Sequence, residues 1–208
     1  MSITYPLSIP RMADIRSIEF SAMDQVAVTN STYSFNRQAV NWGGQRWLAK
    51  VQLVPMTQAR ARAWISFLTK LKGREKEFYL GDYAQQTIRG TASTAPGTPV
   101  VDGGSQTGNE LAIDGCPELA SDYLKEGDYF SLGSGTNKRL YMNLEDVNID
   151  SGGSAVLDIY PDLQVTPSDN DPLDVSSAEG VFVLADNKRD WGFSGNTYKI
   201  KFEAVSVV

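Results

Sequence analysis

The strongest constraint on the fold is the alternation of side chains along residues 46–53. One face of this segment, drawn as an extended chain, carries Trp47, Ala49, Val51 and Leu53. Polar or mixed side chains occupy the other face, because successive side chains of a strand point to opposite sides. A period of two predicts a strand with one face in a hydrophobic core.

A second strand is predicted just before this one, over residues 32–42. The two segments are joined through Gly43 and Gly44, and a Gly-Gly pair is typical of tight hairpin turns. The sequence therefore predicts a hairpin centred on these glycines. Residues 15–20 and 77–80 predict two further strands.

A single long helix is predicted between Thr57 and Leu71. Its apolar positions recur at helical spacing: Ala61, Trp64, Ile65, Leu68 and Leu71, with Phe67 beside them. Thr57 is a residue type that caps helix starts through its hydroxyl, and Gly73 can adopt the left-handed conformation that ends a helix. A stripe containing two large aromatic rings needs a sheet to cover it.

The rest of the chain reads as short strands separated by turn residues, the pattern of a barrel or sandwich. The predicted strands are Leu111–Ile113, Tyr129–Leu132, Arg139–Leu144, Ala155–Tyr160, Gly180–Ala185 and Tyr198–Val205. We therefore expect a mainly β protein: a β-sandwich with one flanking α-helix, plus a second small β-barrel or β-sandwich domain.

Charge and composition place a domain boundary near residue 90. Residues 1–90 contain twelve Lys and Arg against six Asp and Glu, whereas residues 91–208 contain seven against nineteen. A run of Thr, Ser, Pro and Gly over residues 90–108 coincides with this reversal. We predict a first domain over 1–90, completed by a strand in 196–208, and a second over 97–190.

The chain contains no histidine, which excludes Ser-His-Asp and Cys-His catalysis and removes the commonest transition-metal ligand. Cys116 precedes a proline and has no cationic neighbour in sequence, so an inert, partly buried thiol is expected. No segment approaches the roughly 20 apolar residues that cross a bilayer, so membrane insertion is not expected.

Carboxylates offer the remaining chemistry, and nothing in the sequence forces them together. Asp150 with Asp158, or Asp114 with Asp128, are the pairs a glycosidase-type reaction would need. The acidic loop 169–174 offers oxygen ligands for calcium, but its spacing differs from that of known calcium loops. We expect no catalytic residue, no cofactor and no metal. Of the four tryptophans, Trp42, Trp47 and Trp64 are expected in the core, and Trp191 is the candidate for an exposed aromatic.

Two groups of segments, taken in order, carry a resemblance. The first comprises 42–47, 51–56, the helix ending at 71–74, and 78–82; the second comprises 111–115, 124–130 and 157–161. This order is similar to that of the distal tail proteins of long-tailed bacteriophages and gene transfer agents, over about residues 10–205.

The resemblance implies a structural role at the end of a phage-type tail. Such proteins form six-fold rings that join the tail tube to the hub carrying the host-recognition proteins, around a channel for DNA and the tape measure protein. The expected partners are therefore further copies of the chain, the tail tube protein, hub or baseplate proteins and the tape measure protein, with DNA only in transit. The expected location is the distal end of the virion tail, after assembly in the host cytoplasm.

Complementary charge is a candidate means of fixing the contacts between protomers. The candidate inter-subunit residues lie on and after the predicted helix: Arg60, Arg62, Lys70, Lys72 and Arg74. The alternative function is a carbohydrate-binding β module that contacts host surface glycans through Trp191. A glycan hydrolase is a third possibility, disfavoured by the missing histidine.

Overall fold

A computed structural model describes residues 3–83, 85 and 87–208, and most of its ordered elements are strands. The strands are β1 (Ile15–Asn30), β2 (Arg37–Leu53), β3 (Phe78–Leu80), β4 (Val100–Val101), β5 (Glu110–Asp114), β6 (Tyr129–Leu132), β7 (Arg139–Asn143), β8 (Ala155–Tyr160), β9 (Leu173–Asp174), β10 (Gly180–Leu184), β11 (Trp191–Ser194) and β12 (Thr197–Ser206). One α-helix, α1 (Gln58–Lys70), occurs in the described part of the chain. The predicted fold class, mainly β with one helix beside a sheet and a second small β unit, is confirmed.

The first sheet has the order β1-β2-β12-β10-β3, with β11 paired to β12. All of its strand pairs are antiparallel. The last strand, β12, therefore lies beside β2, and the second sheet is formed by the chain between β3 and β10. Gly180–Ala185 was predicted within the second domain, whereas β10 pairs with β3 and β12 of the first sheet.

The second sheet, of order β4-β5-β8-β7-β6-β9, curls into a nearly closed barrel. Its two end strands approach each other through an antiparallel bridge between Val100 and Pro172. The amide of Val101 donates to the carbonyl of Asp171, and that of Leu173 to the carbonyl of Pro99, each at 3.0 Å. Closure satisfies edge groups that would otherwise be free to pair with another chain.

Helix α1 covers the first sheet, as its apolar stripe predicts. The Trp64 ring lies 6.2 Å from that of Phe202 on β12, and the Phe67 ring lies 5.6 Å from that of Phe78 on β3. Thr57 does occupy the position before the helix, but its side chain makes no capping hydrogen bond, contrary to the prediction. Gly73 has the positive φ expected after the helix end.

The hairpin predicted at Gly43 and Gly44 is wrong, because β2 runs through both glycines as one strand. The turn lies at residues 31–36, and β1 continues to Asn30 and not merely to Phe20. Between the pairs Asp24–Gln45 and Val26–Asn41 the register shifts, so that three residues of β2 stand opposite one of β1. The glycines therefore form a bulge, a feature that needs the same positive φ as a turn.

Candidate assembly surface

The most unusual part of the molecule is the outer half of the β1–β2 hairpin, residues 24–45, which we call the β-arm. Strand β12 pairs with β2 only between Leu48 and Gln52, so no third strand of the described residues lies beside the β-arm. At about 3.3 Å per residue, its β1 half extends about 20 Å beyond the body of the sheet.

The β-arm exposes large apolar side chains along its whole length. These are Val26, Val28, Tyr33, Phe35, Val40 and Trp42, of which Tyr33 is 97% and Trp42 74% exposed. Only Asp24 and Arg37 are charged in this segment. Single exposed apolar residues are normal on a protein surface, but a continuous group of them marks an interaction site.

Both faces of the β-arm carry this apolar surface. Directly opposed residues share a face, and Val28 stands opposite Ala39 while Ala27 stands opposite Val40. Because adjacent residues of a strand point to opposite sides, Val28 lies on one face and Val40 on the other. A partner could therefore cover the β-arm from either side.

The outer edge of β1 is also free. β1 ends the sheet order, and no described strand pairs with its outer side. At the opposite end of the sheet, the edge of β3 is covered by the segment containing Leu7: the amide of Leu7 donates to the Glu77 carbonyl at 3.0 Å, and the amide of Tyr79 to the Leu7 carbonyl at 2.9 Å. The part of this edge that follows Asp24 carries no charged residue, and a long edge without charge invites pairing with another chain.

The bulge directs Trp42 into solvent. Gly43 has φ of +72°, and its amide donates to Oδ1 of Asn41 at 2.9 Å. Gly44 lies against Gln25, where an added Cβ would meet the side-chain Cγ at 3.0 Å. Bulges of this kind re-aim side chains, and here the Trp42 ring is exposed, so its predicted place in the core is wrong.

The tip of the β-arm is a structured turn. The Ser31 hydroxyl oxygen accepts from the amides of Tyr33 at 3.3 Å and Ser34 at 3.2 Å. The Phe35 amide donates to the Ser31 carbonyl at 3.0 Å. Phe35 itself has φ of +57°, a conformation that bulky residues rarely adopt outside constrained turns. The two aromatic rings at the tip are thus held outward by backbone geometry.

The base of the β-arm is fixed to the second sheet. Oε1 of Gln45 accepts from the amide of Asp162 at 2.6 Å, and the Gln45 carbonyl accepts from Nε2 of Gln164 at 2.9 Å. The Tyr160 hydroxyl donates to the Met23 carbonyl at 3.2 Å. The β-arm therefore projects from an anchored base that links it to both sheets.

The predicted inter-subunit cations fall into two groups. Arg60 is engaged inside the molecule, where it forms an ion pair with the buried carboxylate of Asp14. All five are exposed, and the other four form no ion pair within the described residues: Arg62, Lys70, Lys72 and Arg74. Arg60 therefore already has an ion-pair partner within the chain, and all five cations stay candidates for inter-subunit contacts.

The candidate carboxylates mostly hold turns. Asp150 accepts from the amides of Gly152 at 2.7 Å and Ser154 at 2.9 Å, which lowers its pKa. The buried Asp128 accepts from the amides of Arg89, Gly90 and Lys125. Asp158 accepts from Nδ2 of Asn109 at 2.6 Å, whereas one oxygen of Asp114 is buried without a partner in the described chain. The described hydrogen-bond partners of these carboxylates are therefore all different, and no described contact joins two of them.

The acidic loop 169–174 is tied to neighbouring backbone in the same way. Asp169 accepts from the Gly103 amide at 3.0 Å, and Asp174 accepts from the amides of Ser176 and Ser177. Across the described residues, no group of three or more acidic, Cys or His side chains has a metal-binding arrangement. Cys116 is buried, and burial raises the pKa of its thiol.

The β-arm was not predicted from the sequence as a functional feature. The sequence does contain a feature that could have indicated it. The twelve residues between Asp24 and Arg37 are all uncharged, and five of them are apolar or aromatic: Val26, Ala27, Val28, Tyr33 and Phe35. Trp191, the predicted exposed aromatic, is 45% exposed on β11, and Phe193 two residues later is also exposed.

No protein-family model matches the chain, and no curated protein matches it. Among the helices of the described residues, none has the length and apolar character needed to cross a membrane.

Proposed function

We propose that this chain is a structural component of a phage-type tail tip, which assembles into a ring joining the tail tube to the distal hub and host-recognition apparatus. The observation that carries the proposal is the β-arm, with its free edge and its apolar side chains on both faces. The order of sequence segments shared with distal tail proteins supports the same role.

The β-arm gains little stability in an isolated protomer, because no other strand or helix of the described chain covers it. Two-stranded ribbons are marginally stable in water when no further strand or helix covers them. A neighbouring copy would supply that cover, because a head-to-tail contact places the β-arm of one protomer on a different surface of the next. Repetition of one such contact closes into a ring when the rotation between copies allows it.

Charge is proposed to set the register of these contacts. The β-arm has almost no charge of its own, whereas residues 1–90 are net positive and residues 91–208 net negative. Apolar contacts at the β-arm would then supply affinity, and opposed charges elsewhere would select the partner surface. Association that does not change with added salt would remove the charge component.

We propose further that the chain is not an enzyme. It contains no histidine, and three of its four candidate catalytic carboxylates accept hydrogen bonds from backbone amides or an asparagine amide. Measurable turnover of any glycan by the purified chain would contradict this.

The tail-tip role is tested by labelling the protein in intact particles from its source. A gold-tagged antibody against the chain, viewed by electron microscopy, should bind at the distal end of the tail. Absence of the protein from purified tails, or labelling along the whole tail, would overturn the proposal. An antibody against the tail tube protein is the control, since it should label elsewhere.

A carbohydrate-binding role is the second candidate, favoured by the exposed pair Trp191 and Phe193. The two side chains are two residues apart on β11 and so share a face. The Phe193 ring also lies 5.0 Å from that of Tyr198. A glycan array would support this role if binding were clear and disappeared in Trp191→Ala but not in Trp42→Ala.

A further inference from the structure

A pocket of about 190 Å³ opens on the wall of the barrel, between the turn that follows β6 and residues 165–171. Its lining is mostly polar and includes Ser134, Thr166 and Asp171, with Tyr141 and Arg139 from β7. Its lining residues lie far in sequence from the β-arm, and none of the contacts proposed for the β-arm uses them.

Arg139 is the unusual member of this lining, because its side chain is buried while it carries a charge. The residue is 6% exposed. Nη1 donates to the carbonyls of Thr136 at 2.7 Å and Lys138 at 3.4 Å, but Nε is buried without a hydrogen-bond partner in the described chain. No carboxylate of the described residues lies within ion-pairing distance of it.

The acidic side chains near this pocket are engaged elsewhere. Asp174 and Glu179 pair with Nζ of Lys138 at 3.4 and 3.2 Å. Asp171, which lines the pocket, accepts from the Ser168 amide through Oδ2 at 2.7 Å. The guanidinium therefore has only neutral carbonyls as described hydrogen-bond partners, and the charge of Glu77, which is not part of the pocket lining, acts on it from beyond ion-pairing distance.

A buried charge without a counter-charge is unfavourable, since it has lost water and gained no ion partner. Burial of this kind lowers the pKa of Arg139 below its usual value. A buried polar atom without a partner is rare in folded proteins, and a bound water or ion is one of its recognised explanations. The planar guanidinium matches carboxylate and phosphate oxygens in geometry as well as charge.

We propose that this pocket binds a small oxyanion, a carboxylate or phosphate group, whose charge is balanced by the guanidinium of Arg139. The hydroxyl groups of Ser134 and Thr166 would supply further donors at the pocket wall. The volume lies below the roughly 300 Å³ at which sites for drug-sized ligands begin, so the bound group is small. The site is independent of ring assembly and would exist in a monomer.

The first test is titration of the full-length protein with inorganic phosphate and, separately, with acetate. Binding is monitored by two-dimensional NMR, and added chloride keeps the ionic strength constant. Amide signals of residues 132–141 and 165–171 should shift and saturate. In Arg139→Gln the binding should weaken at least tenfold, whereas Arg62→Gln, which changes an exposed arginine on α1, should bind as the wild type does. The tighter of the two probes identifies the class of oxyanion.

A second variant guards against loss of folding in Arg139→Gln. Ser134 is exposed at the pocket and its side chain makes no described hydrogen bond, so Ser134→Glu should fold and bring a carboxylate to the pocket. This variant should melt at or above the wild-type temperature and should gain nothing from phosphate, which raises the melting temperature of the wild type. If Arg139 only fastens the turn, neither probe will shift the pocket signals. Absence of saturable shifts, or equal binding by wild type and Ser134→Glu, would overturn the proposal.

Discussion

The indole Nε1 of Trp47, on β2, donates a hydrogen bond to the main-chain carbonyl of Leu140, on β7, at 2.9 Å. This bond joins the two sheets where both are buried. The Trp47 ring also packs edge-on against Tyr160 at 4.9 Å and lies 5.7 Å from the ring of Tyr129. The aromatic cluster of these three residues thus fixes the second sheet against the base of the β-arm.

Replacing Trp47 by Phe should destabilise the protein by about 1 to 3 kcal/mol, because the buried Leu140 carbonyl loses its donor. Urea unfolding at neutral pH measures the change. The control is Trp42→Phe, where the ring is exposed, and unfolding should be unchanged within about 0.5 kcal/mol. Equal effects of the two substitutions would show that the Trp47–Leu140 bond does not hold the sheets together.

Substitution of Asp14 should lower the free energy of unfolding more than substitution of an exposed charged residue. Its buried carboxylate accepts from Nε1 of Trp64 at 2.9 Å and pairs with Arg60. Asp14→Ala should cost about 2 to 3 kcal/mol, since a buried indole N–H and a guanidinium both lose a charged partner. Arg62→Ala, two residues from Arg60 and exposed, is the matched control and should change little. A loss below 0.5 kcal/mol for Asp14→Ala, read from chemical denaturation, would contradict the assignment.

Tyr129 should make stability fall at alkaline pH. Burial, followed by the charge of Asp82, raises its pKa to about 12. A raised phenol pKa means that the folded protein favours the neutral ring, so this contribution is complete below the unfolded pKa of about 10 and is lost as pH rises through about 12. In Tyr129→Phe the decline of unfolding free energy between these values should be shallower. Tyr33→Phe, at the exposed tip of the β-arm, should follow the wild-type curve.

A charged residue introduced into the β-arm should leave the stability of the protomer unchanged but weaken self-association. Val28→Lys and Val40→Lys each place an ammonium group on one apolar face of the β-arm. Both positions are about half exposed, so thermal unfolding of the protomer should change little. Self-association measured by sedimentation should weaken at least tenfold, because covering the β-arm would then bury a charge. Val156→Lys, on an exposed position of β8, should associate normally.

Local sequence patterns identified most elements, because the spacing of apolar and turn residues is a local property of the chain. The helical spacing of Trp64 and Leu68 predicted α1. Six strands were predicted in the second half of the chain, and five of them correspond to β5, β6, β7 and β8 of the barrel and to β12. The sixth, β10, was assigned to the wrong sheet, because its partners β3 and β12 are set by long-range pairing that alternation alone does not encode.

The error at Gly43 and the unpredicted ion pair of Arg60 have the same origin. Glycine with positive φ serves both turns and bulges, and only the pairing of β2 with β1 over nearly its whole length decides between them. The partner of Arg60 is Asp14, 46 residues away, and no local sequence pattern indicates that contact. The pocket around Arg139 could not be predicted from the sequence either, because residues 134 and 166 come together only in the folded barrel.

The central claim, that this protein is built to assemble with copies of itself through the β-arm, is tested most directly by its mass in solution. Native mass spectrometry should detect a species of six times the 22.8-kDa protomer, either for the protein alone or after addition of the tail tube protein with which it is proposed to assemble, and Val28→Lys should reduce it. A single protomer mass under both conditions, unchanged in Val28→Lys, would contradict the account.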